Sequence, residues 1–516
     1  MAGLHSRPLA PRPSRLDVSV CAAGRVGAPR PMDRPPANAY PDLPTLAFQT
    51  LTAPLQRLTE SLTGPGDGVR AVNFADSAPS WEALEDLKTA RRSELGAPEP
   101  DTAAGPPLAR SRERTFGKAG PIRVKLYRDH AAWCPYCQKV WMLLEEKQVP
   151  YRVETTPLES YGEKPASFLT VAPKGYVPAM EIDGEVVEGS DEIVARLEKE
   201  FPERRMVPEE GTPEWVRAQE LKGLENRVVS VIQWAPKPIF LRDELKLKFE
   251  AGLDGVEDEL GKMGGPYFLG ARLSFTDINF VPFMDRWAAF FAYFKGVRVR
   301  TSGRWPRISA WFDAMETHPS YVASKCDYYA CTRLLSMLLP RNAGSFLITK
   351  DALAADIDGR DGASWSLPLP PLGPDSTEPY SPGEDPPVDR LEAAARLIDN
   401  RDAVLMFALR GVGQKGEKQY SAPLADPDAS PGLEWRADVD AALRHVAHAL
   451  LVGVEQKQAS GEALGPAREK GGCDGAAAVY CAEYVRDRVS VPRDLLLPQA
   501  RQLRAHLNWL IDTLQA

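Results

Sequence analysis

Three observations predict an α/β domain, an all-helical domain behind it and an additional mostly helical region at the C-terminus. Between residues 121 and 205, short alternating apolar–polar runs take turns with runs of helical spacing. From 206 to 343 the spacing is helical throughout. A stretch rich in Pro, Gly and Asp (344–386) reads as a linker to further helical spacing over 387–516.

The elements follow in chain order. "IRVKLYR" (122–128) alternates as a strand does, and the helical spacing that begins at "CPYC" runs to about 148. "YRVET" (151–155) is a second strand and "PASFLTVA" (165–172) a short helix. "PAMEID" and "EVVE" flank the turn Asp183-Gly184, a hairpin signal. "SDEIVARLEKEF" (190–201) is a helix that Ser190 caps, with Asp191 and Glu192 at its positive end. The order β-α-β-α-β-β-α is that of a thioredoxin-like domain.

In the helical domain, "SFTD" (274–277) places Ser274 and Asp277 at capping-box spacing before an apolar run. "FVPFMDRWAAFFAYF" (280–294) comes closest to a membrane span, but Asp285 and Arg286 interrupt it, so it reads as a buried helix. Four helices are expected over 387–516, including those in "DVDAALRHVAHALLVGVEQ" and "PQARQLRAHLNWLIDTL". Residues 37–120, dominated by Gly, Pro and Ala after a helical run at 46–62, read as a loosely structured extension with one or two short helices.

Composition narrows the function. The formal net charge of −8 gives no electrostatic footprint for a nucleic-acid partner. Seven cysteines in 516 residues are too few for a disulfide scaffold, and no signal-peptide core opens the chain, so a reducing compartment is expected. The first 36 residues hold six arginines and two acids among Ser, Ala and Pro, which suits a transit peptide. Prolines throughout favour the chloroplast over mitochondria; without such a leader the expectation is cytoplasmic.

The chemistry concentrates at Cys134 and Cys137. Between a strand and a helix, Cys134 sits at the positive end of the helix dipole, with Pro135 at the first helical position. Such placement lowers a thiol's pKa to about 3.5–7.5 and makes it a nucleophile. Cys137, one turn on, is placed to attack a mixed disulfide at Cys134. A redox pair is favoured over half of a zinc site, which needs a second pair. The nearest candidates for one are Cys326 and Cys331.

Other residues frame the pair. "GYVPAM" (175–180) offers Val177 as an exposed backbone edge if Pro178 is cis. Ser190 and the N–H groups behind it form a pocket for a ligand carboxylate. His130 either stabilises the thiolate or lies nearby by chance, and Trp133 and Tyr136 wall the thiol pocket. His445 and His448 read as solvated or packed, and "RDRVSVPRD" (486–494) as a salt-bridged helix end rather than an anion site.

Together these elements make residues 121–340 resemble a glutathione transferase. "LYRDHAAWCPYCQKVWMLLEEKQVPYRVE" and "YGEKP" are similar to the iota class of photosynthetic organisms, with its glutaredoxin-like site and extra C-terminal domain. "YVRDRVSVPRD" and "ARQLRAHLNW" resemble that added domain. The resemblance implies a thiol transferase or reductase that forms a glutathione mixed disulfide at Cys134. The glutathione-binding set it implies is Lys164, Val177, Pro178, Glu188, Ser190 and Asp191. Gly189 departs from the acid usual in the family at that position. The expected partners are glutathione and a small-molecule or protein disulfide. The alternative is a binding protein for a hydrophobic ligand or an iron–sulfur cluster ligated in part by glutathione.

Overall fold

The computed structural model describes residues 77–158, 164–234, 243–338, 352–414, 429–454 and 475–515. The expected transit peptide and the helical run at 46–62 lie outside them.

Five strands form one sheet: β1 (Glu113–Arg114), β2 (Val124–Asp129), β3 (Tyr151–Thr156), β4 (Ala179–Ile182) and β5 (Glu185–Glu188), in the order β1-β3-β2-β4-β5. β2 and β3 run parallel, pairing Leu126 with Val153, and the other pairs are antiparallel. The parallel pair needs a crossover. It is the helix Pro135–Lys147, whose Val140, Leu143 and Leu144 bury against Leu126, Tyr151 and Met180. The turn Asp183-Gly184 closes the β4–β5 hairpin, with positive φ at both residues.

The helix α1 (Trp81–Leu95) and strand β1 correct the picture of a loose extension over 37–120. Leu84 of α1 is fully buried in the core of the C-terminal region, beside Leu391 and Val446, and Arg92 bonds Glu392 at 2.6 Å. β1 holds Arg114 so that its guanidinium pairs with Glu145, which also accepts from Tyr151. Ser80 caps α1, accepting from Ala83 N, and Gly96 ends it at φ +60.

With the crossover helix as α2, α3 (Ala166–Val171) and α4 (Ser190–Glu200) complete the α/β domain. The helical domain holds α5 (Pro213–Trp234), α6 (Asp243–Leu260), α7 (Phe275–Lys295), α8 (Pro306–Met315), α9 (Pro319–Val322) and α10 (Tyr328–Leu338). The capping box of α7 forms as expected, with Asp277 Oδ2 accepting from Ser274 N at 3.0 Å. The other Asp277 oxygen ties in Phe268 N and the Trp311 indole. α7 is buried almost throughout, and it carries Asp285 and Arg286 into the contact with α2.

The span 344–386, expected as a linker, packs as a strap in its described part. α11 (Ala352–Ile357) opens it, Trp365 buries edge-on against Tyr329 at 4.9 Å, and Glu378 accepts from Tyr328 N. Trp365 and Tyr380, buried in the cores on either side, anchor this proline-rich span. Beyond it, among the described residues, stand α12 (Pro386–Asp399), α13 (Arg401–Ala408), α14 (Arg436–Val452), α15 (Gly475–Arg486) and α16 (Leu497–Gln515), against the four helices expected.

Cys326 and Cys331 are joined as a disulfide, their Cα atoms 6.0 Å apart where the chain turns into α10. They therefore form no second metal pair, and the expectation of reduced thiols fails here. Among the described residues no helix is long and apolar enough to cross a membrane.

Candidate functional site

β2 and the loop behind it carry the chain to Cys134, which occupies the N-cap of α2 with extended backbone (φ −62, ψ 118) and Pro135 at the next position. The Cys134 thiol lies 3.9 Å from the Val177 carbonyl. The Val177–Pro178 bond is cis, the condition on which the exposed Val177 edge depended. The sheet ladder stops at Ala179, so Val177 keeps its N–H outside it. Cys134 and Cys137 are both 2% exposed, packed with Tyr127, Phe168 and Val177.

Three buried charges that the sequence pattern did not mark surround the sulfurs. Asp129 ends β2 with no exposed surface. One of its oxygens accepts from Trp133 N at 2.7 Å, and the other has no partner. A carboxylate oxygen of Asp129 and the two sulfurs all lie within 4.8 Å of one another. Burial, then the charge of Cys134, push the Asp129 carboxyl up to about 6. Burial, then the Cys134 sulfur, push the Cys137 thiol well up. Cys137 is thus the sulfur that keeps its proton.

The second charge is Arg286 on α7, wholly buried. It donates to the main-chain carbonyl of Trp133, to Gln138 Oε1 at 2.6 Å and to Pro282 O at 2.6 Å. Its guanidinium also lies 5.5 Å from the centre of the Trp133 ring. Burial pulls its pKa down, while Asp285, Cys134 and Asp129 hold it charged. The third is Arg128, buried over Trp141, which donates to the carbonyls of Asp129 and Ala109. Nothing in the spacing of these residues marks them. Their burial is what gives their charges reach.

His130 cannot serve as the cation. Burial, then the charges of Arg493, Lys164 and Arg128, hold it down at about 4, so it is neutral at pH 7.

The other expected residues divide. Gly189, not Ser190, is the N-cap of α4, and Ser190 is its first helical residue, 9% exposed. Gly189 sits at φ +102, and a Cβ there would lie 2.4 Å from Glu192 Oε2. That conformation explains why no acid occupies the position. Glu188 is half-buried, and its Oε2 is buried without a partner. Asp191 pairs with Lys139 at 2.7 Å, a pair that Asn279 extends, with its side chain largely exposed at the start of α4. Lys164 donates to the Pro157 carbonyl, and its ammonium lies 5.5 Å from the Phe168 ring centre. Tyr136 packs against the cysteine pair and meets Phe283 edge-on at 5.5 Å, whereas Trp133 buries in the core of the helical domain.

Residues 133–200 match the family model for the glutathione S-transferase N-terminal domain, and 240–314 that for the C-terminal domain. The chain is 30% identical over 149 residues to glutathione S-transferase DHAR2 of Arabidopsis thaliana, covering 29% of this chain and 64% of that protein's length. It is 26% identical over 205 residues to glutathione S-transferase L3 of the same plant, covering 39% of this chain and 82% of the relative. Among solved structures, dehydroascorbate reductase of Chlamydomonas reinhardtii is 25% identical with a TM-score of 0.33, over 40% of this chain and 94% of that one.

Proposed function

We propose, for a chain that carries both glutathione S-transferase domains, that it is a glutathione-dependent thiol transferase or reductase with Cys134 as nucleophile. The single observation that supports this most is the arrangement of two unequal thiols. Cys134 faces a helix N-terminus and a buried guanidinium, while Cys137 is held protonated beside an unpartnered carboxylate oxygen.

The residues fit glutathione. The Val177 edge suits the cysteinyl backbone, which can pair with it as an added strand. The N-terminus of α4 at Ser190 suits the α-carboxylate of the γ-glutamyl group. The orphaned Glu188 oxygen suits its ammonium. Lys164, which donates to the Pro157 carbonyl, supplies a positive charge for a ligand carboxylate.

In turnover the Cys134 thiolate attacks a disulfide that carries glutathione. A sulfur–sulfur bond forms at Cys134, and the substrate's other sulfur leaves as a thiolate that takes a proton from water. Cys137 then passes its proton to Asp129 and attacks the Cys134 sulfur, expelling glutathione and leaving the Cys134–Cys137 disulfide. Two further glutathiones reduce that disulfide and are themselves oxidised to glutathione disulfide. A second route, attack by glutathione on the mixed disulfide, bypasses Cys137. Conjugation is disfavoured, because a cysteine nucleophile binds glutathione covalently where conjugation must release its thiolate.

Mass spectrometry after exposure to oxidised glutathione tests the reading. The expected products are a glutathione adduct at Cys134 in Cys137→Ser and an internal disulfide in the native chain. A folded protein that yields neither refutes it.

A further inference from the structure

A cavity of about 260 Å³ lies in the C-terminal region, between α12, α13, the end of α15 and the segment that leads to α16. Its walls are apolar: Leu397, Val404 and Phe407 on one side, Val485, Val489 and Leu503 on the other. Its polar groups are unbalanced. Arg396, Arg488 and Arg493 line it, against one acid, Asp494.

The acid is already engaged. Asp494 holds Arg493 at 2.6 Å and accepts from Ser490 N. Arg396 donates to the Asp494 main-chain carbonyl, and Arg488 to the Tyr484 carbonyl at 3.4 Å, its guanidinium lying 3.7 Å from the centre of the Tyr484 ring. Neither makes an ion pair with a described carboxylate, and Arg488 Nε is buried without a partner. Burial and the charge of Arg493 depress Arg396, and Arg396 in turn depresses Arg110. Two guanidinium groups in excess, at the rim of an apolar cavity, leave positive charge that no described carboxylate pairs with and that an anionic ligand would answer.

We infer that this cavity binds a small amphipathic organic anion, its apolar body between α12, α13 and α15 and its carboxylate or equivalent head between Arg396 and Arg488. The run "RDRVSVPRD", which its composition suggested was a salt-bridged helix end, is so paired at Arg486 and Arg493 but not at Arg488. The charge of Arg493 at the cavity also acts on His130, four residues before Cys134. The proposal stands apart from the thiol reading, and either can fail alone.

Three probes with one tail test it on the full chain: decanoate, decan-1-ol and decylamine, titrated calorimetrically at pH 7.5. Decanoate is expected to bind at least about tenfold more tightly than the other two, the size of a hydrogen bond to a charged group. Arg488→Gln should remove that preference and leave decanol binding unchanged. Ala403 is exposed at the cavity wall, so Ala403→Phe should block the cavity without entering the core. Bound decanoate should also protect Arg488 from phenylglyoxal, read by peptide mass spectrometry with no variant needed. Equal binding of decanol, decanoate binding insensitive to Ala403→Phe, or no protection of Arg488 would each overturn the inference.

Discussion

Arg286, on the first long buried helix after the capping box, donates to the main-chain carbonyl of Trp133, the residue before Cys134. A cation from the helical domain is thereby built into the floor of the thiol centre in the α/β domain. Replacing it with Met removes a positive charge that favours the Cys134 thiolate. The apparent pKa of Cys134 should rise by about 1–3, and its alkylation by iodoacetamide at pH 6.5 should slow about tenfold or more. Arg286→Lys should restore part of the rate if charge is what matters. An unchanged pH profile in a folded Arg286→Met protein would assign Arg286 a purely structural role.

Asp129 allows two measurements. As proton acceptor for Cys137, its loss in Asp129→Asn should slow closure of the Cys134–Cys137 disulfide about a hundredfold, leaving the first adduct at Cys134 intact. In the native chain, closure should rise with pH through about 6, where the carboxyl loses its proton. Arg128, Arg286, Cys134 and Cys137 face it; in this step Cys134 is bound in the mixed disulfide and does not titrate, and burial holds the Cys137 thiol well up.

The same shift has a sign for stability. A carboxyl raised from 3.8 to about 6 by burial is easier to keep neutral in the fold than in the unfolded chain. The folded state therefore loses stability as pH rises between those values, by about 3 kcal/mol once above them. Asp129→Asn should stabilise the α/β domain at pH 8 by up to about that amount, and the gain should vanish at pH 3.5. Urea titration at the two pH values checks it.

Glu188 and Ser190 should govern affinity rather than turnover. Glu188→Gln is expected to raise KM for glutathione about tenfold, and Ser190→Ala about fivefold, with kcat within twofold of native. A fall in kcat at constant KM would place these residues in the chemistry instead.

Leu84 is fully buried, though it lies in the span expected to be loose. Leu84→Ala should cost about 2–5 kcal/mol in the unfolding of the C-terminal helices, and much less in that of the α/β domain. Equal loss in both would show that the two regions unfold as one unit.

Much of the α/β domain was legible because its signals are local. Cys134 with Pro135, the Val177-Pro178 dipeptide, the Asp183-Gly184 turn and the Ser274–Asp277 box each state their own geometry within a few residues. What was not legible depends on partners far along the chain. β1 is two residues long and exists because β3 lies beside it. Arg286 reads in sequence as a charge that spoils a membrane span, and its role comes only from the approach of α7 to α2. Asp129 is one more residue in an alternating strand until burial reveals its charge. His130 was weighed as a cation, but burial, together with two arginines and a lysine, keeps it neutral. The strap over 352–386 looked like a linker because proline content does not say whether Trp365 and Tyr380 find a core.

Arg92 of α1 and its partner Glu392 are 300 residues apart. During synthesis α1 leaves the ribosome long before the surfaces that bury Leu84 exist. At about 5–20 residues per second, that interval is roughly 15–60 s. The α/β domain and the helical domain behind it can fold during the wait, while the apolar stripe of α1 stays open to chaperones. The chain is therefore fastened last by its two distant arms, and a translation that stops early leaves a competent thiol centre trailing an unsheltered helix.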